Sequence, residues 1–165
     1  MNDQEQYAGD AGDEELSPAE ALEDLLEEIV AGLGLDAGIE IDERDGVLTG
    51  RVEASDAGLF IGRHGQTIDA VQHLAQRIVF PEGPSPIRVV IDANGYRERR
   101  AETLRGEADE AADDALSSGQ PVELTPMPAS ERRIVHEYLR ERGGVETHSE
   151  GNEPERHLVV SPLPG

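Results

Sequence analysis

The stretch Phe60-Ile61-Gly62-Arg63-His64-Gly65-Gln66-Thr67-Ile68 sets two glycines three positions apart between apolar helical segments. Without a Cβ, glycine lets an anionic chain approach the main chain, and the amides of a helix opened by Gly65 carry partial positive charge. Arg63 and His64, raised between the glycines, add donors. The chemistry this suits is capture of phosphates along a nucleic-acid backbone. A second pair, Arg132 and His136, stands at i and i+4 on one helical face. Arg100, Arg133 and Arg156 are further candidate contacts, Arg133 being equally suited to pairing with a carboxylate.

Bond-making chemistry finds little support. No nucleophile elbow, P-loop or dinucleotide fingerprint is present. Gly32-Leu33-Gly34-Leu35-Asp36-Ala37 matches Gly-x-Gly-x-x-Ala but follows a helix instead of a strand. A calcium loop with Gly46 in sixth place would put Ile41 and Val52 in ligand positions, which cannot coordinate the ion. His136 beside Glu137, and His148 with Glu150 and His157, read as surface residues. There is no cysteine, which removes disulfides, thiolate metal sites and cysteine nucleophiles. The expectation is a non-enzymatic protein without catalytic residues, metal or cofactor.

The elements that must position these residues follow from pattern. Ser17-Pro18-Ala19-Glu20 is a capping box with proline in the first helical position, opening a helix through Leu22, Leu25, Leu26, Ile29 and Val30 that Gly32 and Gly34 end. Residues 38–43 and 47–53 read as strands joined at Asp45-Gly46. Ile61, Ile68, Val71, Leu74, Ala75, Ile78 and Val79 recur at helical spacing around the glycine loop, and Pro86 to Asp92 is a β-branched strand. Asn94 to about Leu116 reads as a solvated connecting helix, with Arg97, Arg99, Arg100 and Arg105 early and acids late, an order that opposes the helix dipole. The Arg cluster can also extend an anionic-ligand track beside the glycine loop. After Ser117-Ser118-Gly119-Gln120-Pro121 come a short strand at residues 122–124, the helix carrying Arg132 and His136, and strands at 145–149 and 157–161.

Net charge is −22, with 36 acids against 14 Arg and no Lys. Residues 1–28 hold 11 acids and no Arg, so half the excess sits in one end of the chain. Screening over about 8 Å confines its influence, leaving a local, salt-sensitive contact at the loop. Base stacking on an aromatic sheet is disfavoured, since the chain has only 3 Tyr, 2 Phe and no Trp. No apolar run reaches the roughly 20 residues that span a bilayer, no basic amphipathic helix suits direct lipid contact, and the acidic start is unlike a signal peptide. A cytoplasmic protein without direct membrane insertion is expected.

The Ile-Gly-x-x-Gly-x-x-Ile spacing within the order helix, strand, strand, helix, helix, strand resembles a type II KH domain, whose loop holds about four nucleotides of single strand. Pro126-Met127, then Glu131-Arg132-Arg133-Ile134-Val135-His136, then Val145-Glu146-Thr147 and Ser149-Glu150-Gly151 resemble the second domain of the bacterial Jag family, here called the R-three-H domain for its Arg-three-residues-His motif. The resemblance covers residues 20–161. It implies an α+β protein: a disordered acidic leader (1–16), a KH domain (17–93), a connecting helix and linker (94–120) and a small α/β R-three-H domain (121–165). Many family members carry a further small N-terminal domain before the KH unit; here the expectation is the acidic leader alone.

The resemblance also implies a single-stranded RNA-binding protein, acting as a post-transcriptional regulator or RNA chaperone, with single-stranded DNA as the other ligand of the same chemistry. It assigns the contacts to Gly62, Arg63, His64, Gly65, Arg132 and His136. The alternative it implies is a protein-interaction adaptor linked to cell-envelope growth or membrane-protein insertion, paired with a small single-KH protein.

Overall fold

The computed structural model describes residues 16–164. The acidic leader lies almost wholly outside them. Helix α1 (Pro18–Gly32) opens on the expected capping box: the Glu20 amide donates to Ser17 Oγ at 3.3 Å and the Ser17 amide to Glu20 Oε2 at 2.8 Å. Its Leu22, Leu25, Leu26 and Val30 are buried against a sheet. Strands β1 (Ala37–Arg44) and β2 (Val47–Ala54) form an antiparallel hairpin turned by Asp45 and Gly46, both at positive φ (51° and 75°), as a tight two-residue turn requires. β2 then pairs in parallel with β3 (Arg88–Ala93), giving the order β1-β2-β3.

Between β2 and β3 run α2 (Gly58–Ile61), one turn of 3-10 helix (Arg63–Gly65) and α3 (Gln66–Val79). Phe60, Ile68, Val71 and Ala75 join α1 and the strands in the first core. The apolar period of α3 is wider than its buried face, because Leu74 and Ile78 are each 46% exposed. α3 also closes the outer edge of β3. Gln76 accepts from the Val89 amide (2.8 Å) and donates to the Ile87 carbonyl (3.3 Å), and Gln72 accepts from the Ile91 amide (3.1 Å).

Helix α4 (Tyr96–Ser118) begins fastened to this first unit. Arg97 donates to the Ile91 carbonyl (2.6 Å), to Asp69 (2.9 Å) and to Gln72 (3.0 Å), while its amide donates to Asp92 (3.1 Å). From Leu104 onward α4 belongs to a second core. Leu104, Ala108, Ala111, Ala112 and Ala115 pack on β4 (Val122–Glu123), α5 (Ala129–Arg142), β5 (Val145–Glu150) and β6 (His157–Pro162), whose antiparallel sheet runs β4-β6-β5. The expectation of a solvated connector is corrected here. An alanine stripe at three- and four-residue spacing lets α4 approach the sheet closely, and the charges occupy its other faces.

Candidate nucleic-acid interface

The glycine loop is held in a conformation only glycine tolerates. Gly62 sits at φ 74°, ψ 179°, where a Cβ would lie 2.8 Å from Thr67 Cβ and 2.9 Å from the Thr67 amide nitrogen. Gly65 is left-handed (φ 74°, ψ 12°) with its absent Cβ aimed 2.9 Å from the Tyr96 ring. His64 between them is also at positive φ (51°). Gly65 caps α3 without a side-chain bond; the Gln66 amide donates to the Arg63 carbonyl, so the oriented amides left for a ligand are those of Thr67 and Ile68. Arg63 is exposed and has no ion-pair partner among the described residues. The loop is therefore an uncommitted cation beside oriented N–H groups, as phosphate capture needs.

The helix motif divides into two unlike residues. His136 is exposed, with Nδ1 2.5 Å from Thr147 Oγ1 on β5. Arg132 is buried, donating to the Met127 carbonyl at 2.8 Å and pairing with Glu153 at 2.8 Å. Both line one groove between α5 and β5, with Arg133, Thr147 and His148 at its rim. Arg132 thus ties the segment before α5 to the β5–β6 turn, while His136 offers a ring nitrogen to solvent. Arg133 is exposed and pairs with Glu137 at 2.8 Å along the same helix, which raises the Arg133 pKa and lowers that of Glu137.

Arg100 is committed elsewhere. It donates to both oxygens of the buried Glu131 (2.7 and 2.8 Å), and this bond holds its pKa above the usual guanidinium value. Its Nη2 also lies 3.4 Å from His64 Nδ1. The Ser130 hydroxyl donates to Asp69 at 3.1 Å. The glycine loop and the start of α5 are joined by this polar seam, so the two candidate sites share a frame. Arg156 is half-buried, and its carbonyl accepts from the Met127 amide at 3.2 Å. Asp69 and Tyr96 had no signal in the sequence, and Glu131, although it lies in the motif segment, carried no sign of its role, since an acid beside Arg-x-x-x-His looks in isolation like helix-surface charge.

A family model described as the KhpA/KhpB KH domain matches residues 19–91, and an R-three-H domain model matches residues 102–162. The RNA-binding protein KhpB of Bacillus subtilis is 31% identical over 150 residues, covering 90% of this chain and 72% of that protein. The chain belongs to the KhpB family. This is the Jag-type combination of KH and R-three-H units anticipated from the two motifs. Other KhpB-family relatives are the RNA-binding proteins KhpB of Lactiplantibacillus plantarum, 40% identical over 141 residues (86% of this chain), and of Clostridium symbiosum, 35% over 140 residues (84%). This chain spans 44% and 63% of those two proteins' lengths. The R-three-H match begins within α4, consistent with the burial of that helix from Leu104 onward. Among the described residues of this KhpB-family chain, no helix is long and apolar enough to cross a membrane.

Proposed function

We propose that this chain binds single-stranded RNA in the cytoplasm without transforming it, as a post-transcriptional regulator or RNA chaperone. The observation that carries this reading is the Gly62–Gly65 loop. Gly62 and Gly65 are fixed in a shape that a Cβ would disrupt, the cap of α3 makes no side-chain bond, and Arg63 has no ion-pair partner among the described residues. Phosphates bind there, and His136, Arg132 and the rim Arg133 contact the same strand in the α5–β5 groove. Two weak sites in one frame raise the effective concentration of the second contact. The names of the KhpB relatives support the ligand class. Arg100 and Arg156 act behind this surface, Arg100 through Glu131.

The test is fluorescence anisotropy of mixed-sequence single-stranded RNA with the full chain over a salt series. Arg63→Asp with His64→Asp removes binding while circular dichroism stays native, and affinity falls as salt rises. Binding indifferent to the loop change refutes the reading. A second reading, pairing with a small single-KH protein in cell-envelope growth or membrane-protein insertion, is favoured by exposed Leu74 and Ile78 on α3. Co-purification of such a partner that survives the loop change and is lost with Leu74→Asp supports it.

A further inference from the structure

The seam between the glycine loop and the second unit opens into a cleft of about 590 Å³ whose wall on the second unit's side holds none of the candidate contacts. One wall is Arg63, His64 and Gln66 of the loop. The other is Pro126 and Pro128 ahead of α5, with Glu153, Pro154 and Glu155 from the β5–β6 turn. The lining joins flat apolar ring faces to acceptors, with one guanidinium at the mouth. We propose that this cleft is a nucleobase subsite, selective for bases that present an exocyclic amine, guanine foremost. The inference rests on the RNA-binding reading above.

The charge arrangement decides which part of a nucleotide enters. Glu155 and Glu153 repel a phosphate from the interior, whereas Arg63 and the helix amides attract it at the mouth. A strand held on the loop therefore keeps its backbone outside and turns a base inward. There the base meets proline faces and the Arg63 plane, the kind of surface on which unstacked bases rest. Its polar edge then faces carboxylates, which only accept. Guanine offers N1–H and N2–H2 together, cytosine and adenine offer an exocyclic amine, and uracil offers a single N3–H. Carboxylate acceptance of base amines is an established pairing. Glu153 already spends one oxygen on Arg132, so Glu155 is the freer acceptor.

The cleft needs walls that do not drift, and the seam supplies them. Ser130 bonded to Asp69, and Glu131 bonded to Arg100 beside His64, hold the start of α5 against the loop. Both linkages lie within a few residues of the cleft lining. The base is thus read by a pocket that neither unit forms alone.

The experiment compares an eight-uridine RNA with the same oligomer carrying one central guanosine, using anisotropy with the full chain and with Glu155→Ala. The parent chain binds the guanosine oligomer about tenfold more tightly, the discrimination of one good base-edge contact. Glu155→Ala tightens the uridine oligomer by removing a repulsive charge and weakens the guanosine oligomer by removing its acceptor, bringing their ratio close to one. Generic electrostatics moves the affinities without moving the ratio, so an unchanged ratio above one overturns the subsite while leaving RNA binding intact. A parent ratio of one also overturns it. No binding of either oligomer overturns the RNA reading and the subsite with it. Pro154→Gly serves as a second variant: it leaves the charge unchanged and lowers the ratio by loosening the stacking wall.

Discussion

Gly62→Ala isolates the strain in the glycine loop. At φ 74° and ψ 179° the residue lies in a region that alanine reaches at a cost of about 1–3 kcal/mol. The added Cβ also meets the main-chain nitrogen of Thr67 at 2.9 Å, and a backbone atom cannot rotate away. The start of α3 must shift, which puts the penalty in the upper half of that range, about 2–3 kcal/mol. For the unit built on the first core this lowers the melting temperature by about 10–20 °C. Gly106→Ala is the internal control. Gly106 lies inside α4 with open space where its Cβ would stand, so alanine there stabilises by about 0.5–1 kcal/mol. Urea unfolding followed by circular dichroism measures both. A Gly62→Ala chain that unfolds within about 0.5 kcal/mol of the parent refutes the strain argument.

Arg132→Ala leaves the Met127 carbonyl without its charged donor and lowers stability by about 1.5–3 kcal/mol in the same unfolding assay. His136→Ala weakens RNA binding and leaves stability unchanged, so an equal stability loss in the two variants would contradict their different burial. Leu104→Ala opens a cavity where α4 enters the second core, at a cost of about 2–5 kcal/mol, measurable by thermal melting. Arg100→Glu broadens the distance distribution between cysteines placed in the two units of this otherwise cysteine-free chain, and adding Glu131→Arg restores it; double electron–electron resonance reads both. Gln76→Ala exposes the Val89 amide, whose hydrogen exchange quickens while that of Leu48 in the sheet centre does not.

Local signals were legible where a residue has one physical use. Ser17 and Glu20 announced the first helix, Asp45-Gly46 the hairpin, and Gly62 and Gly65 the loop, because caps, tight turns and positive φ admit few residue types. The packing of α4 was hidden because alanine is both a good surface helix former and the residue for close approach. Only the tertiary partners, Val135 and Leu139 among them, decide between the two. The separation of Arg132 from His136 was hidden for a similar reason. Side chains at i and i+4 share a face, but the turn carrying Glu153 covers only one of them. The pairing of Arg100 with Glu131 spans 31 positions, a distance at which charge pattern carries no information about contact.

The glutamines at positions 72 and 76 have a consequence for assembly. By occupying the outward amides of β3 they leave no vacancy for a visiting strand, so the first sheet cannot lengthen on that side. Growth by strand addition is confined to β1, whose outer residues include Glu40, Asp42 and Glu43. A second copy of this acidic strand would set like charges opposite one another, which destabilises the pair. Self-association through this sheet is thereby opposed at both edges, by bonded amides at β3 and by charge at β1.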